Sequence, residues 1–326
     1  MIQNLAIKNF KSIKDLNISC KKLNVFIGEP NSGKSNIIEA FTLQSRILST
    51  IGLNHQIFRY KTVSDLFFDF DTSKPIEVNT DQRKLKLNYG LKEDGSNDNL
   101  FHLTLGGERK TILQINHDGS MGHQRGFHDS NVLFYEFRRL EHYPKSVLPN
   151  LSPPFGDNLA SFLLTNGDFK KWVTEFLKSK QFKLTFKPNE NEILFSKIVD
   201  DEIYSFPFFV LSETLQRIIF YTLAIKSNMN SIILLDEPDT NTFPLYTKEL
   251  AERIALDETN QFFITTHNPY LLLSLIEKSK ENDIDVFITQ MKDFQTVVNK
   301  LTADQISEVL DLNSDVFFNF DQILAL

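Results

Sequence analysis

The sequence predicts an α/β fold with a mixed sheet at its core and an inserted β-rich and helical lobe. Three short apolar runs support this prediction, because each is typical of a buried strand and precedes polar residues: 23–27, 232–235 and 262–266. Apolar residues at helical spacing follow the first run, so strand and helix alternate as in parallel α/β sheets. The three runs therefore define the predicted core.

The segment after the first predicted strand reads GEPNSGKSNIIEAF, residues 28–41. It contains G-x-x-x-x-G-K-S, with Gly28, Gly33, Lys34 and Ser35 in the fixed positions and the strand-loop-helix context that this motif requires. Glycines let the backbone amides surround phosphate groups at the positive end of a helix. Lys34 would then contact the β- and γ-phosphates of ATP, and Ser35 would ligate Mg²⁺. Three further residues complete the predicted nucleotide contacts of this segment: Asn31, Ser32 and Asn36.

Two consecutive carboxylates end the second run, in the segment SIILLDEPDTNTFP. Asp236 at the strand end would hold Mg²⁺ directly or through water, and Glu237 would polarise the water that attacks the γ-phosphate. His267 follows the third run, in QFFITTHNPYLL. Because ligands of open parallel sheets bind beyond the carboxyl ends of the strands, His267 is predicted to sense the γ-phosphate or orient water.

Together these residues resemble the ABC-type, AAA-family ATPase heads of the RecF, SMC and OLD-like groups. The segments IKNFKSIKDLNI, LSPPFGDNLASFLLTN, DEPDTNTFP and ITTHNPYLL carry the same resemblance. It implies a P-loop NTPase fold of the ABC-ATPase type, with ATP and Mg²⁺ as ligands. It also implies that two heads dimerise around two ATP molecules, and that Lys11 and Ser12 contact the adenine.

The resemblance further implies a signature helix that completes the nucleotide site of the other subunit. The candidate is VLSETLQRIIFYTLAI, residues 210–225, in which Ser212 would reach the partner's γ-phosphate and Arg217 would support it. Family signatures usually carry a glycine soon after the serine, whereas this chain has Glu213 and Thr214. A bulkier residue limits close backbone approach to phosphate, so activation in trans is expected to be weak or differently arranged.

The distance between the motifs predicts a discontinuous core, formed by residues 1–50 and 206–326, and an insertion formed by residues 51–205. Within the insertion, short alternating runs at 74–117 predict an antiparallel sheet, and helical spacing at 158–178 predicts a helix. Two strands are predicted at 181–188 and 192–199. After His267 the pattern predicts a helix, a hairpin and a final helix capped by Thr302.

Several classes of protein are disfavoured by the sequence. The net charge of −7 does not favour nucleic acid, although a local patch at Arg138, Arg139, His142 and Lys145 leaves it open; internal ion pairs or a solvated face are the preferred interpretation of that patch. About 60 residues follow His267, without a second acidic cluster, so a stand-alone head lacking a C-terminal nuclease domain is expected. Cys20 is the single cysteine and no run approaches a membrane span, which predicts a cytoplasmic protein without membrane contact.

The leading functional prediction is an ATP-hydrolysing switch that dimerises around Mg-ATP and gates a separate effector protein or a nucleic acid. Larger homo-oligomers remain open, and a bacterial defence or DNA-repair module is the family-level analogy. One alternative is a scaffold or sensor that is stabilised by ATP and hydrolyses little or none. Another is a RecF-like binder of duplex DNA, which would bind with a steep dependence on salt.

Overall fold

The structure is a computed structural model, and it describes residues 1–45, 52–91, 97–106, 111–124 and 130–325. Within these residues, three sheets contain the following strands: β1 Asn4–Phe10, β2 Ile13–Ser19, β3 Leu23–Gly28, β4 Ile76–Thr80, β5 Lys84–Leu91, β6 Asn97–Leu105, β7 Thr111–Ile115, β8 Met121–Gln124, β9 Val132–Tyr135, β10 Lys183–Lys187, β11 Glu192–Val199, β12 Glu202–Pro207, β13 Ile232–Asp236, β14 Gln261–Thr265, β15 Ile284–Lys292 and β16 Gln295–Lys300. Its α-helices are α1 Lys34–Thr42, α2 Leu159–Thr165, α3 Gly167–Lys178, α4 Glu213–Lys226, α5 Pro244–Ala255, α6 Pro269–Lys278, α7 Ala303–Leu312 and α8 Phe320–Ala325.

The central sheet has six strands in the order β16-β15-β3-β14-β13-β9. All neighbouring pairs are parallel except β15 and β16, which form an antiparallel hairpin. The sheet is therefore mixed, as the sequence predicts. The carboxyl ends of β3, β13 and β14 lie at one edge, which is where the three polar motifs begin.

Side chains of the central strands alternate between two cores. In β13, Ile233 and Leu235 pack in one core with helices α2 to α6, while Ile232 and Leu234 pack in the other. The second core also contains α1 and the inner face of the seven-stranded antiparallel sheet. Because successive side chains of a strand point to opposite faces, a strand covered on both sides must be apolar throughout, which explains the continuous apolar run of β13.

The predicted antiparallel sheet is confirmed as β4 to β7, and the predicted hairpin as β15 and β16. The helix predicted to be capped by Thr302 is also confirmed as α7, because the Thr302 hydroxyl accepts from the Gln305 amide in a capping box at its start. It is not the final helix, since α8 follows it. Ile47, part of the predicted helix after the phosphate loop, lies outside the described residues. In the described part of the chain, no helix has the length and apolarity needed to cross a bilayer.

The single helix predicted over residues 158–178 is wrong in one respect: the structure has two helices, α2 and α3. Asn166 separates them with an extended backbone, φ −115° and ψ 96°, and Gly167 begins the second helix. The residues predicted to form the apolar face of this segment nevertheless all pack in or against one core: Leu159, Phe162, Leu163, Phe169, Trp172, Val173 and Phe176. A third strand, β12, extends the predicted pair β10 and β11.

Strand pairing crosses the predicted boundaries between core and insertion at two places. β1 and β2 belong to the antiparallel sheet, because β1 pairs with β4. β9 comes from the middle of the predicted insertion, yet it forms an edge of the central sheet beside β13. The two lobes are consequently connected through shared strands.

Candidate functional site

The loop from Gly28 to Gly33 connects β3 to α1, and the buried Lys34 side chain is directed back into it. Its Nζ donates hydrogen bonds to the carbonyl oxygens of Gly28, at 2.9 Å, and Glu29, at 2.8 Å. Burial lowers the pKa of Lys34 to about 8, against the opposing effect of the Glu237 and Asp236 carboxylates. The Lys34 ammonium thus lies inside the loop. The first turn of α1, which follows the loop, adds backbone N–H groups that have no acceptor within the helix.

Three residues of the loop have a positive φ: Gly28 with 149°, Asn31 with 61° and Gly33 with 97°. A Cβ atom at Gly33 would lie 1.9 Å from Oγ1 of Thr296 and 2.9 Å from Oγ of Ser12. Glycine is therefore required at position 33 both by its backbone conformation and by the close approach of β16.

Asp236 is the last residue of β13, and its carboxylate faces the start of α1. Its Oδ1 accepts a hydrogen bond from the Ser35 hydroxyl at 3.1 Å and another from the hydroxyl of Thr265, its neighbour on β14. Burial raises the pKa of Asp236, while the two hydroxyl donors act in the opposite direction. The predicted Mg²⁺ ligands, Ser35 and Asp236, are therefore adjacent in space although 201 residues separate them.

Glu237 follows directly and has a left-handed backbone, with φ 45°. Its amide donates to the carbonyl oxygen and to Oγ1 of Thr265, which fixes this conformation at the strand end. Its Oε1 lies 3.1 Å from Nε2 of His267, and both side chains are partly exposed. The hydrogen bond from His267 lowers the pKa of Glu237, so the carboxylate form is favoured. A non-glycine residue with positive φ is unusual and is often found at functional sites.

One cleft, with a volume of about 400 Å³, brings most of the predicted site together. The predicted residues that line it are Lys11, Ser12, Asn31, Gly33, Lys34, Ser35, Asn36, Glu237 and His267. Asp236 lines an adjoining cavity of about 140 Å³, which shares Ser35 and Arg59 with the cleft. Gly28 lies behind the Lys34 ammonium, and Ser32 is buried, with its hydroxyl 2.7 Å from that of Thr289.

The side chains of Lys11 and Ser12, the predicted adenine contacts, bind other side chains of the protein in this structure. The Lys11 ammonium forms a partly buried ion pair with Glu39 of α1, and burial lowers the pKa of Lys11. The Ser12 hydroxyl accepts from Nδ2 of Asn36 at 2.7 Å. Both residues lie on the turn between β1 and β2, which forms one wall of the cleft.

The structure does not bring Ser212 into this cleft. Ser212 is exposed at the N-cap of α4, and its side chain makes no capping hydrogen bond. Arg217, predicted to support it, instead pairs with Glu213 at 2.9 Å and lies over the ring of Phe137. Ser212 is therefore not among the residues that line the cleft of its own chain.

The two arginines of the basic patch form ion pairs, in agreement with the preferred interpretation of that patch. Arg138 pairs with Glu136 at 3.1 Å and lies over the ring of Phe155, 3.9 Å from its centroid. Arg139 lies 3.5 Å from Glu213 of α4. These two cations are thus partly neutralised by neighbouring carboxylates.

Sequence reasoning did not identify several residues of the site. Arg59 comes from an irregular segment, which gives no periodic signal, and lines the cleft with 66% of its side chain exposed. For Thr265 and Thr266 the sequence does offer a signal, because both directly precede the predicted His267 in the ITTH segment. The Thr266 hydroxyl donates to the buried Asp239, whose pKa is raised to about 6 by burial. Thr–carboxylate pairs of this kind join the segments that carry Glu237 and His267.

Two protein-family models match the chain. One, described as AAA ATPase domain, matches residues 1–206, and the other, described as AAA domain, putative AbiEii toxin, Type IV TA system, matches residues 163–274. No curated protein matches the sequence. The first family model covers more than half of the 326 residues.

Solved structures of SMC heads are similar over nearly the whole chain. An SmcHead bound to the C-winged helix domain of ScpA has 16% sequence identity and a TM-score of 0.54, covering 94% of this chain and 99% of that chain. A Smc head domain with an extended coiled coil, bound to the C-terminal domain of ScpA derived from Pyrococcus furiosus, has 14% identity and a TM-score of 0.52. That alignment covers 95% of this chain and 98% of the Smc chain.

At 16% and 14% identity, the similarity to Smc heads shows a shared fold. The match to the family model, in contrast, shows similarity of sequence. Both agree with the phosphate loop and the strand-end carboxylates described above. The chain belongs to the AAA ATPase domain family and has an ABC-type P-loop fold like that of SMC heads.

Proposed function

We propose that this protein binds Mg-ATP in the 400 Å³ cleft and hydrolyses it slowly. One observation carries the proposal: an ammonium, a hydroxyl, two carboxylates and an imidazole from distant segments converge at one edge of the central sheet. They belong to Lys34, Ser35, Asp236, Glu237 and His267. Such a set matches the requirements of phosphoryl transfer, which depends mainly on positioning and on charge stabilisation.

The phosphate groups of ATP are assigned to the loop and to the first turn of α1. There the backbone N–H groups and the helix dipole favour negative charge, and Lys34 adds a full positive charge. In the structure Lys34 donates to two loop carbonyls, and these bonds would be exchanged for phosphate oxygens. The lowered pKa of Lys34, about 8, would rise again beside a triphosphate, since an anion favours the charged form.

Ser35 and Asp236 are the residues that would hold Mg²⁺. A hydroxyl and a carboxylate oxygen 3.1 Å apart fit an ion that takes one or two protein ligands beside phosphate oxygens and water. When bound, Mg²⁺ neutralises part of the charge on the β- and γ-phosphates. Thr265 keeps Asp236 directed toward Ser35 by donating to the same oxygen.

Glu237 is proposed to accept the proton of the attacking water, and His267 to hold the Glu237 carboxylate. Their 3.1 Å contact lowers the pKa of Glu237, which keeps it ionised but makes it a weaker base. A weaker base supports slow turnover. The same observation supports the alternative, in which the protein binds ATP as a scaffold or sensor and hydrolyses little.

We further propose a homodimer in which each Ser212 completes the nucleotide site of the other subunit. Ser212 is exposed and its hydroxyl makes no bond to its own helix, so it is free to reach across an interface. The similar Smc heads are each bound to a domain of a separate protein, ScpA. By analogy we propose that ATP binding and release gate a separate effector, within a bacterial defence or DNA-repair module.

The decisive experiment compares phosphate release and particle size for wild type and Glu237→Gln, with Glu258→Gln as the matched control. Glu258 is exposed and lies just before β14, at the end of the sheet opposite the cleft. We expect Glu237→Gln to bind ATP as wild type does, to lose roughly 10²- to 10⁴-fold in turnover, and to accumulate as a dimer with ATP. The Glu258→Gln protein should behave as wild type.

The other outcomes separate the alternatives. Equal, negligible rates for wild type and Glu237→Gln, with ATP still bound, would select the scaffold or sensor. Absence of heat on titrating wild type with Mg-ATP would reject nucleotide binding altogether. Duplex DNA binding that requires ATP and falls steeply with salt would select the DNA-binding alternative, which the paired state of Arg138 and Arg139 does not favour.

A further inference from the structure

The hairpin of β15 and β16 packs along the outside of the phosphate loop. Two buried threonines of this hairpin, Thr289 and Thr296, contact the loop and its neighbours through their hydroxyl groups. Neither threonine is among the residues that line the cleft, although Thr296 lies against two that are, Ser12 and Gly33. The hairpin therefore contacts the loop through two threonines that do not line the cleft, while Met291 of β15 does line it.

Thr289 takes part in a directed chain of hydrogen bonds that begins at Lys34. The Thr289 hydroxyl donates its only proton to the carbonyl oxygen of Ile27, at 3.0 Å. The Ser32 hydroxyl, 2.7 Å away, must then be the donor in its bond to Thr289. Ser32 in turn can accept from Nζ of Lys34, at 3.4 Å. The chain thus fixes the proton of Ser32 and leaves its lone pairs facing the Lys34 ammonium.

Thr296 connects three segments of the site. Its backbone amide donates to the Ser12 carbonyl at 2.7 Å, and its hydroxyl lies 2.7 Å from that of Ser12. Ser12 also accepts from Nδ2 of Asn36, in the first turn of α1. The same Thr296 hydroxyl occupies the space that a Cβ atom of Gly33 would need, at 1.9 Å.

We propose that Thr289 and Thr296 are positioning residues of the nucleotide site, which hold the phosphate loop and Lys34 in their binding geometry from outside the cleft. This proposal rests on the proposed function, namely that the cleft binds Mg-ATP. The hydroxyl groups touch no nucleotide themselves. They act through Ser32 and Ser12, so that the hairpin of β15 and β16 influences the affinity for ATP.

The physical reason is preorganisation. Asn31 and Gly33 have left-handed conformations that few residues adopt without support, so the loop depends on its surroundings for its shape. If the hydroxyl contacts are lost, the loop samples other conformations, and ATP must order it at the moment of binding. That ordering weakens affinity without altering any group that contacts the nucleotide.

The test measures ATP affinity by calorimetry and the unfolding temperature without nucleotide. It compares Thr289→Val and Thr296→Val, which remove a hydroxyl at nearly constant volume, with Thr289→Ser and Thr296→Ser, which keep it. We expect each valine variant to raise the Kd for Mg-ATP roughly tenfold and each serine variant to restore it. Turnover at saturating ATP should change much less than Kd, because Glu237 and His267 are untouched.

Thr80→Val is the matched control. Thr80, the last residue of β4, is also buried, and among the described residues its hydroxyl bonds only to the backbone of Gln82 and Arg83, which do not line the cleft. It should lower the unfolding temperature and leave the Kd unchanged. If the valine variants at 289 and 296 behave like Thr80→Val, the positioning role is refuted and the hydroxyls are purely structural.

A double-mutant cycle between Ser32 and Thr289 tests whether Thr289 influences ATP affinity through Ser32. Its second substitution, Ser32→Ala, is mild and keeps the test usable if a valine variant folds poorly. Because the two hydroxyls act in one chain, the double variant should bind no more weakly than either single variant. Additive losses would mean that Ser32 affects ATP independently of Thr289, against the proposal. Lys34→Ala separates this failure from that of the proposed function: if it binds ATP like wild type, the cleft itself is wrongly assigned.

Discussion

Adjacent carboxyl groups at the end of β13 have pKa values shifted in opposite directions. Burial raises the pKa of Asp236, whereas the hydrogen bond from His267 lowers that of Glu237. The difference arises from the backbone, because the positive φ of Glu237 turns its side chain toward His267 while Asp236 remains against α1. Two neighbouring acids with different surroundings can thus serve different roles in one site.

The thiol of Cys20 also has a shifted pKa, and a prediction of its reactivity follows. Burial, followed by the nearby Asp285 carboxylate, raises the pKa of the Cys20 thiol to about 12. Since the thiolate is the reactive form, we expect iodoacetamide at pH 8.5 to modify the native protein at least about a hundredfold more slowly than the urea-unfolded protein. Mass spectrometry of timed samples measures both rates, and native and unfolded rates within about threefold would contradict the stated pKa.

The raised pKa of Cys20 also makes the stability of the folded protein depend on pH. The folded protein holds the Cys20 proton more tightly than the unfolded chain does. This group therefore contributes stability that is present below the ordinary thiol pKa and declines as the pH rises from about 8.5 toward 12. Cys20→Ser removes this contribution and provides the control in alkaline unfolding curves.

How much of the site the sequence predicts depends on how local the signal is. Lys34, Ser35, Asp236 and Glu237 belong to short segments in which residue type and strand context suffice. Arg59 and Thr296 join the site through tertiary packing of an irregular segment and of a distant hairpin, so their neighbours in the sequence carry no sign of the role.

Among the elements, the parallel strands are the most predictable, since burial on both faces requires continuous apolar runs. β9 is an exception: its four residues are all buried, but it lies in a region otherwise dominated by insertion strands. The break at Asn166 is another, because the apolar spacing of α2 and α3 continues across it. Apolar spacing alone therefore does not reveal which sheet takes a short strand, or where a helix is interrupted.

A buried glutamine joins the N-terminal strands to the central sheet. The Gln261 side chain accepts from the Ile2 amide at 2.8 Å and donates to the carbonyl oxygens of Ile2, at 2.8 Å, and Lys21, at 2.7 Å. Gln261→Ala leaves these groups without their partners, so we expect a loss of roughly 3 kcal/mol in unfolding free energy. Urea unfolding measures it, with the exposed Gln3→Ala as a control near zero; equal stability of the two variants would contradict this role.

At the scale of the whole molecule, ATP should stabilise the fold as a unit, because the cleft is built from segments on both sides of the insertion. Mg-ATP at about 100 times its Kd is expected to add roughly 2.7 kcal/mol to the unfolding free energy. Thermal unfolding with and without Mg-ATP measures this shift, and Lys34→Ala should abolish it. A shift of equal size for Lys34→Ala would place nucleotide binding elsewhere.

The pairing of β3 with β14 and β15 has a consequence for biosynthesis. The Asn24 side chain donates to the carbonyl oxygen of Phe262, 238 residues later in the chain. In a chain synthesised from its N-terminus, the phosphate loop is therefore complete long before β14 and β15, the sheet neighbours of β3, have been made. Until then the apolar β3 lacks these two partners, so we expect the nascent chain to bind chaperones, and a product that stops before β14 to lack the cleft residue His267.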